Sequence, residues 1–125
     1  MVCNMDKTFL LLGAVAAFLG VTLGAFGAHG LRGRLSPEMM AVFQTGVQYH
    51  MYHALALILV AGILGHLSGW LIRLAGWCFL GGIVLFSGSL YALAMTGVTV
   101  LGAITPIGGL LFLIGWACLA FAAIQ

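Results

Sequence analysis

The chain has 125 residues, 64% of them hydrophobic and only 5% charged, with a mean hydropathy of +1.26. A soluble domain carries roughly a quarter charged residues, so a water-facing surface is excluded and a membrane protein is implied. The net charge of +2 comes without a basic stripe, which excludes a nucleic-acid partner. The many glycines sit inside apolar runs rather than in a phosphate-cradling loop between a strand and a helix.

Four apolar runs follow one another, each near the roughly 20 residues that a transmembrane helix needs. The first, predicted over about 8–30, contains TFLLLGAVAAFLGVTLGAFGA (Thr8 to Ala28). Lys7, this run and Ala25-Phe26-Gly27 resemble a secretory signal peptide, but the run is too long for a signal core and is expected to stay uncleaved. Ala16, Gly20, Gly24 and Ala28 recur every four residues, the small-residue pattern that lets helix backbones approach closely. That stripe is a candidate contact for a homo-oligomer or a partner helix.

The second run, about 37–64, follows LRGRLSPE, in which Ser36 can cap and Pro37 can occupy the first helical turn. After GHLSG the third run is predicted over about 69–96, with Gly81 and Gly88 on one face and Gly82, Ser89 and Thr96 on its neighbour. TGVTVLGAIT leads to the fourth, about 105–124, which carries Gly108, Gly115 and Ala122. Seven residues is close to two helical turns, a spacing that suits long left-handed contacts between antiparallel helices. Unbroken apolar runs satisfy their backbones in lipid as helices, and no alternating polar and apolar segments of a β-barrel occur. The predicted fold is one all-α domain spanning 1–125, an antiparallel four-transmembrane-helix bundle.

Cys3, Cys78 and Cys118 have no metal-ligand spacing and read as small apolar residues. Cys3 has no apolar stretch before it and is not expected to be acylated. Cys78 and Cys118 are expected at similar depth in their helices, reduced and structural.

The polar side chains are concentrated. QTGVQYHMYHALALILV (Gln44 to Val60) opens with two Gln, a Thr, two Tyr and two His before turning to pure hydrocarbon. Gln44, Gln48 and Tyr52 form one stripe at four-residue spacing; Thr45, Tyr49 and His53 form the next, and His50 falls off this arc. Ser87, Ser89, Tyr91 and Thr96 in the third run, His29 and Thr105 all belong to the same half of the membrane, the side of Arg32 and Arg34. With entry near Thr45, His53 is roughly 12 Å deep, and an ionisable group there faces the bundle interior or a wet cavity. The competing explanations are interhelical glue, at about 0.6 kcal/mol per bond, and an aromatic belt for Tyr49 and Tyr52.

GAFGAHGL (Gly24 to Leu31), FQTGVQYHMYHALAL (Phe43 to Leu57), LFSGSLYALAMTG (Leu85 to Gly97) and ITPIGGLLFLIGW (Ile104 to Trp116) resemble the small four-helix membrane proteins of the YgdD/YwdK type. The resemblance covers nearly the whole chain. It implies four helices, an uncleaved first helix and a bacterial inner (cytoplasmic) membrane with cytoplasmic termini, but no activity. It also favours His29 and His53 over His50 as site residues. Charge alone does not orient the chain, since Lys7 and Arg73 on one side stand against Arg32 and Arg34 on the other.

The function these features point to is binding of a small amphiphile, a quinone or a lipid head group, in a polar pocket of one leaflet. His29, Gln44, Gln48, His53, Ser87, Ser89 and Tyr91 would line it. Membrane lipids are the expected surroundings, no cofactor is named by the residues, and no catalytic or metal-binding residue is expected. An assembly role in a membrane complex is the main alternative. A transporter is disfavoured because Asp6 and Glu38 lie outside or at the edge of lipid and no internal repeat shows. A metal site at His29, His50 and His53 lacks carboxylate partners. Hydrolysis by Ser89, His53 and Tyr91 lacks a carboxylate to orient the imidazole.

Overall fold

A computed structural model describes residues 4–67 and 69–125; Cys3 lies outside them. The chain crosses its long axis four times. Helix α1 runs over Asn4–His29 and α2 over Pro37–Leu64. The third crossing is built from α3 (Trp70–Gly82), a π-helical turn (Ile83–Ser87) and α4 (Gly88–Thr96). A 3-10 turn at Thr99–Ala103 then leads into α5 (Thr105–Ile124). All four crossings are long and apolar enough to span a membrane.

The ends follow from local chemistry. Ser36 caps α2 by accepting the Met39 N–H at 3.1 Å, and Pro37 occupies the first turn, where a missing N–H costs nothing. Gly97 ends α4 in the left-handed conformation, φ 73°, and its N–H closes on the Leu93 carbonyl.

Helix α1 packs on α2, α2 on the third crossing, and the third crossing on α5; α1 and α5 occupy opposite flanks. The first contact is a seam of small residues. Gly13, Gly20 and Gly27 of α1 receive the side chains of Ile58, Met51 and Phe43 of α2, and Gly24 faces Val47. Ala16 is buried in the same seam while Ala28 is exposed. Ala16, Gly20 and Gly24 therefore serve packing within the chain, in a seam whose deepest notches, Gly13, Gly20 and Gly27, stand seven residues apart.

On the other flank, phenylalanine rings fill glycine notches: Phe112 against Gly82, Phe79 against Gly115. Gly108 lies directly on the backbone of Phe86, inside the π turn, so α5 approaches closest where the third crossing is widened. The main core gathers Phe9, Leu57, Val60, Phe79 and Phe112, with a smaller one around Leu31, Phe43 and Ala94 at the arginine end. Cys78 and Cys118 are buried and unbridged. Outer faces carry Leu11, Phe18, Val21, Leu113 and Ile124, an apolar perimeter suited to lipid.

Candidate ligand-binding crevice

Two buried histidines one turn apart on α2 connect it to every other crossing. His50 places Nε2 at 2.7 Å from the Ala16 carbonyl of α1 and Nδ1 at 2.8 Å from the Tyr91 hydroxyl of α4. A carbonyl only accepts, so Nε2 carries the proton and Nδ1 accepts from the phenol. His53 reaches the other way. Its Nδ1 donates to the Tyr49 carbonyl at 2.8 Å, and its Nε2 accepts the Trp116 indole N–H of α5 at 3.1 Å. The ring of His53 lies flat on Phe112, centroids 3.5 Å apart and 6° from parallel. Both nitrogens of each neutral imidazole are thus engaged, and among the described residues no three His, Cys, Asp or Glu side chains converge on a metal-sized space.

His53 also borders open space. Between α2 and α5 lies a crevice of about 480 Å³, lined by Tyr49, Tyr52 and His53, by Phe86 of the π turn, and by Gly109, Phe112, Leu113 and Trp116. Helices α2 and α5 do not pack backbone to backbone there; Gly109 supplies no side chain, and the aromatic rings bridge the rest of the gap. Tyr49 and Phe86 sit 4.9 Å apart by centroid, and Phe86 and Phe112 5.4 Å. Tyr52 is 52% exposed and Leu113 68%, so the crevice opens sideways, toward the surrounding lipid. His53 is about 4 Å along the axis from the midpoint of α2, and Trp116 about 2 Å from that of α5. The crevice is at mid-span rather than near one face.

The seven residues expected to share one pocket are distributed. His53 alone lines the crevice. Gln44 and Gln48 are exposed beside a separate groove of about 180 Å³ that includes Gly24, Gly27 and Ala28 of α1. Gln48 Nε2 donates to the Tyr52 hydroxyl at 2.6 Å. Ser87 is fully buried and donates to the Gly46 carbonyl at 2.7 Å. Ser89 donates to the Phe86 carbonyl and lies 2.6 Å from the Thr105 hydroxyl. Tyr91 belongs to His50, and His29 ends α1 exposed. The serines and Tyr91 therefore join helices, through Gly46, Thr105 and His50 respectively.

Sequence reasoning set His50 aside and passed over the wall contributed by α5. A signal for that wall exists: Gly109, Phe112, Leu113 and Trp116 are spaced i, i+3, i+4, i+7, one face of a helix. It is easily lost in a segment that is apolar all round.

Comparison with known proteins gives a consistent result. The profile of a family described as "Protein of unknown function (DUF423)" matches residues 23–109. The chain is 53% identical over 120 residues to the UPF0382 membrane protein YwdK of Bacillus subtilis, covering 95% of this chain and 98% of that one. It is 50% identical over 119 residues to the UPF0382 membrane protein SERP0230 of Staphylococcus epidermidis, covering 95% and 97%. Against SH2409 of Staphylococcus haemolyticus the identity is 48%, with the same coverage. No solved structure matches the chain.

Proposed function

The chain belongs to the DUF423 family of membrane proteins, and on that premise we propose that it binds a small amphiphilic molecule in the crevice between α2 and α5. The observation that carries this reading is the crevice itself: about 480 Å³, at mid-span, opening laterally. Ligand sites are concave and mostly apolar, with a few placed polar groups. Here the lining is apolar almost throughout: the rings of Tyr49, Tyr52, Phe86, Phe112 and Trp116 and the Leu113 side chain surround the His53 imidazole, whose two nitrogens are held by Tyr49 and Trp116. A molecule already dissolved in the bilayer enters without crossing water. Among the described residues no carboxylate lines the space, which favours binding over proton-coupled transport.

We further propose a bacterial cytoplasmic membrane with both termini on the cytoplasmic side, supported by the likeness to bacterial membrane proteins. The test of binding is native mass spectrometry of the protein extracted from its own membranes. A retained small molecule, lost when Gly109→Leu fills the crevice, supports the proposal. Identical spectra for the two proteins, with no retained mass, would sink it.

A second reading, a structural subunit of a membrane complex, is favoured by one observation. Gln44, Thr45 and Gln48 are exposed on the outer face of α2, and amides facing lipid gain by meeting a partner helix. Crosslinking from Gln44→Cys would then capture a defined neighbour, where ligand binding alone gives none.

A further inference from the structure

We propose a second binding site, separate from the crevice: a groove between the first turns of α1 and the last turns of α2 that holds a phospholipid with a primary ammonium head group. It lies in the leaflet on the side of the chain termini.

The groove encloses about 350 Å³, and Asp6 and Lys7 of α1 border it together with Gly62 and Gly65 at the end of α2. Asp6 is only 7% exposed, and its Oδ2 lies 3.9 Å from the point that a Cβ on Gly65 would occupy. The carboxylate therefore sits in the gap between the two helix ends. Lys7 is exposed beside it. A carboxylate in the first turn suits the α1 macrodipole on its own account. The groove beneath it and the end of α2 opposite are what give it a ligand.

Depth matches a lipid standing upright. The 28 residues of α2 are about 42 Å long, against about 30 Å of hydrocarbon, so about 6 Å at each end lies among head groups. Asp6 and Gly62 are each two residues, about 3 Å, from the end of their helix, in the head-group layer. Leu10 and Ile58, which continue the lining, are each about 9 Å from the same ends, inside the hydrocarbon. Charge borders the outer part of the groove and hydrocarbon the inner part, as in the lipid itself.

The outer part selects a cation. The last turn of α2 carries the partial negative charge of a helix C-terminus and no basic side chain, and the Asp6 carboxylate adds a full charge. A primary ammonium brings three N–H donors to these acceptors. A choline brings none and is held by aromatic faces, and among the described residues no aromatic ring lines the groove. Lys7 then meets the phosphate next to the ammonium. An anionic head group without an ammonium also reaches Lys7, but it sets a like charge against Asp6.

The experiment is native mass spectrometry of the full chain in detergent, titrated with dioleoyl phosphatidylethanolamine, phosphatidylcholine or phosphatidylglycerol. One saturable ethanolamine lipid is expected, with the other two about tenfold weaker, the worth of one charge-assisted hydrogen bond. Asp6→Asn should erase that preference. Nothing lies within 4 Å of a Cβ placed on Gly62, so Gly62→Leu should fold normally and abolish the binding by filling the groove, while Gly88→Ala leaves it intact. Gly62→Leu also keeps the proposal refutable if Asp6→Asn does not fold. Equal binding of all three lipids, or tighter binding of the glycerol lipid, overturns the ammonium assignment. Ethanolamine-lipid binding unchanged in Gly62→Leu overturns the location. Displacement of the lipid by equimolar glycerophosphoethanolamine, which has the head group without the chains, overturns the lipid in favour of a soluble ammonium phosphate.

Discussion

Replacing His50 by Leu removes two interhelical hydrogen bonds at once, to the Ala16 carbonyl at 2.7 Å and to the Tyr91 hydroxyl at 2.8 Å. Such bonds are worth about 0.6 kcal/mol each inside membranes, so the pair accounts for about 1.2 kcal/mol. The Ala16 carbonyl lies within α1 and keeps the helical bonding of that segment. The Tyr91 hydroxyl has no such reserve, and stranding it in a half-buried site adds about 1 kcal/mol. His50→Leu should therefore cost about 2 kcal/mol. Tyr91→Phe alone loses one bond and strands Nδ1 of His50, for about 1.5 kcal/mol. The double variant loses both bonds but strands nothing, so its cost should fall back to about 1 kcal/mol, milder than His50→Leu by itself. Unfolding by sodium dodecyl sulfate in mixed micelles, followed by tryptophan fluorescence, measures all three. A double variant as destabilised as the sum of the singles would refute the reasoning, because the two groups would then be acting independently.

Other outcomes follow from the same contacts. His53→Asn removes the ring stacked on Phe112 and the acceptor of Trp116. It should lower the melting temperature in detergent by only a few degrees while abolishing retention of the ligand; unaltered retention counts against a site role. Gly108→Ala would drive a methyl group into the Phe86 backbone, whereas Gly88→Ala meets nothing. The first should cost several kcal/mol, beyond the usual 1–3 for overpacking, and the second should change stability by less than about 1 kcal/mol; equal melting of the two would contradict the close approach of α5 to the π turn. In a cysteine-free background, Arg34→Cys should be labelled by an impermeant thiol reagent from outside intact cells and Leu67→Cys should not. The opposite labelling reverses the proposed topology.

The four-helix architecture was legible because composition leaves a chain this apolar one solution, and Ser36-Pro37 marks a helix start by chemistry that works locally. The π turn at Ile83–Ser87 was not. Nothing in IVLFS distinguishes it from ordinary helix; it is set by tertiary packing, with Gly108 resting on the Phe86 backbone and Ser87 reaching Gly46. The polar arc of α2 was visible, but its meaning depends on which neighbour each side chain meets. His50 looked peripheral on a helical wheel because it points between α1 and α4, a direction that exists only once three crossings are assembled. Gln44 and Gln48 looked central for the same reason and are exposed. The glycine repeat of α1 was half seen: four-residue spacing caught Ala16, Gly20 and Gly24, while the seam also uses Gly13 and Gly27 at seven. The aromatic wall on α5 escaped because its segment is apolar all round, so periodicity carries no contrast.

The most direct test is a density map of the protein purified from its native membrane into lipid nanodiscs. A ligand-binding crevice should hold a discrete, elongated non-protein feature between Tyr52, Phe112, Leu113 and Trp116, stronger than the acyl-chain density along the outer face of α1. Phe112 and Trp116 folded inward to close the space, or density there no stronger than that along α1, would contradict it.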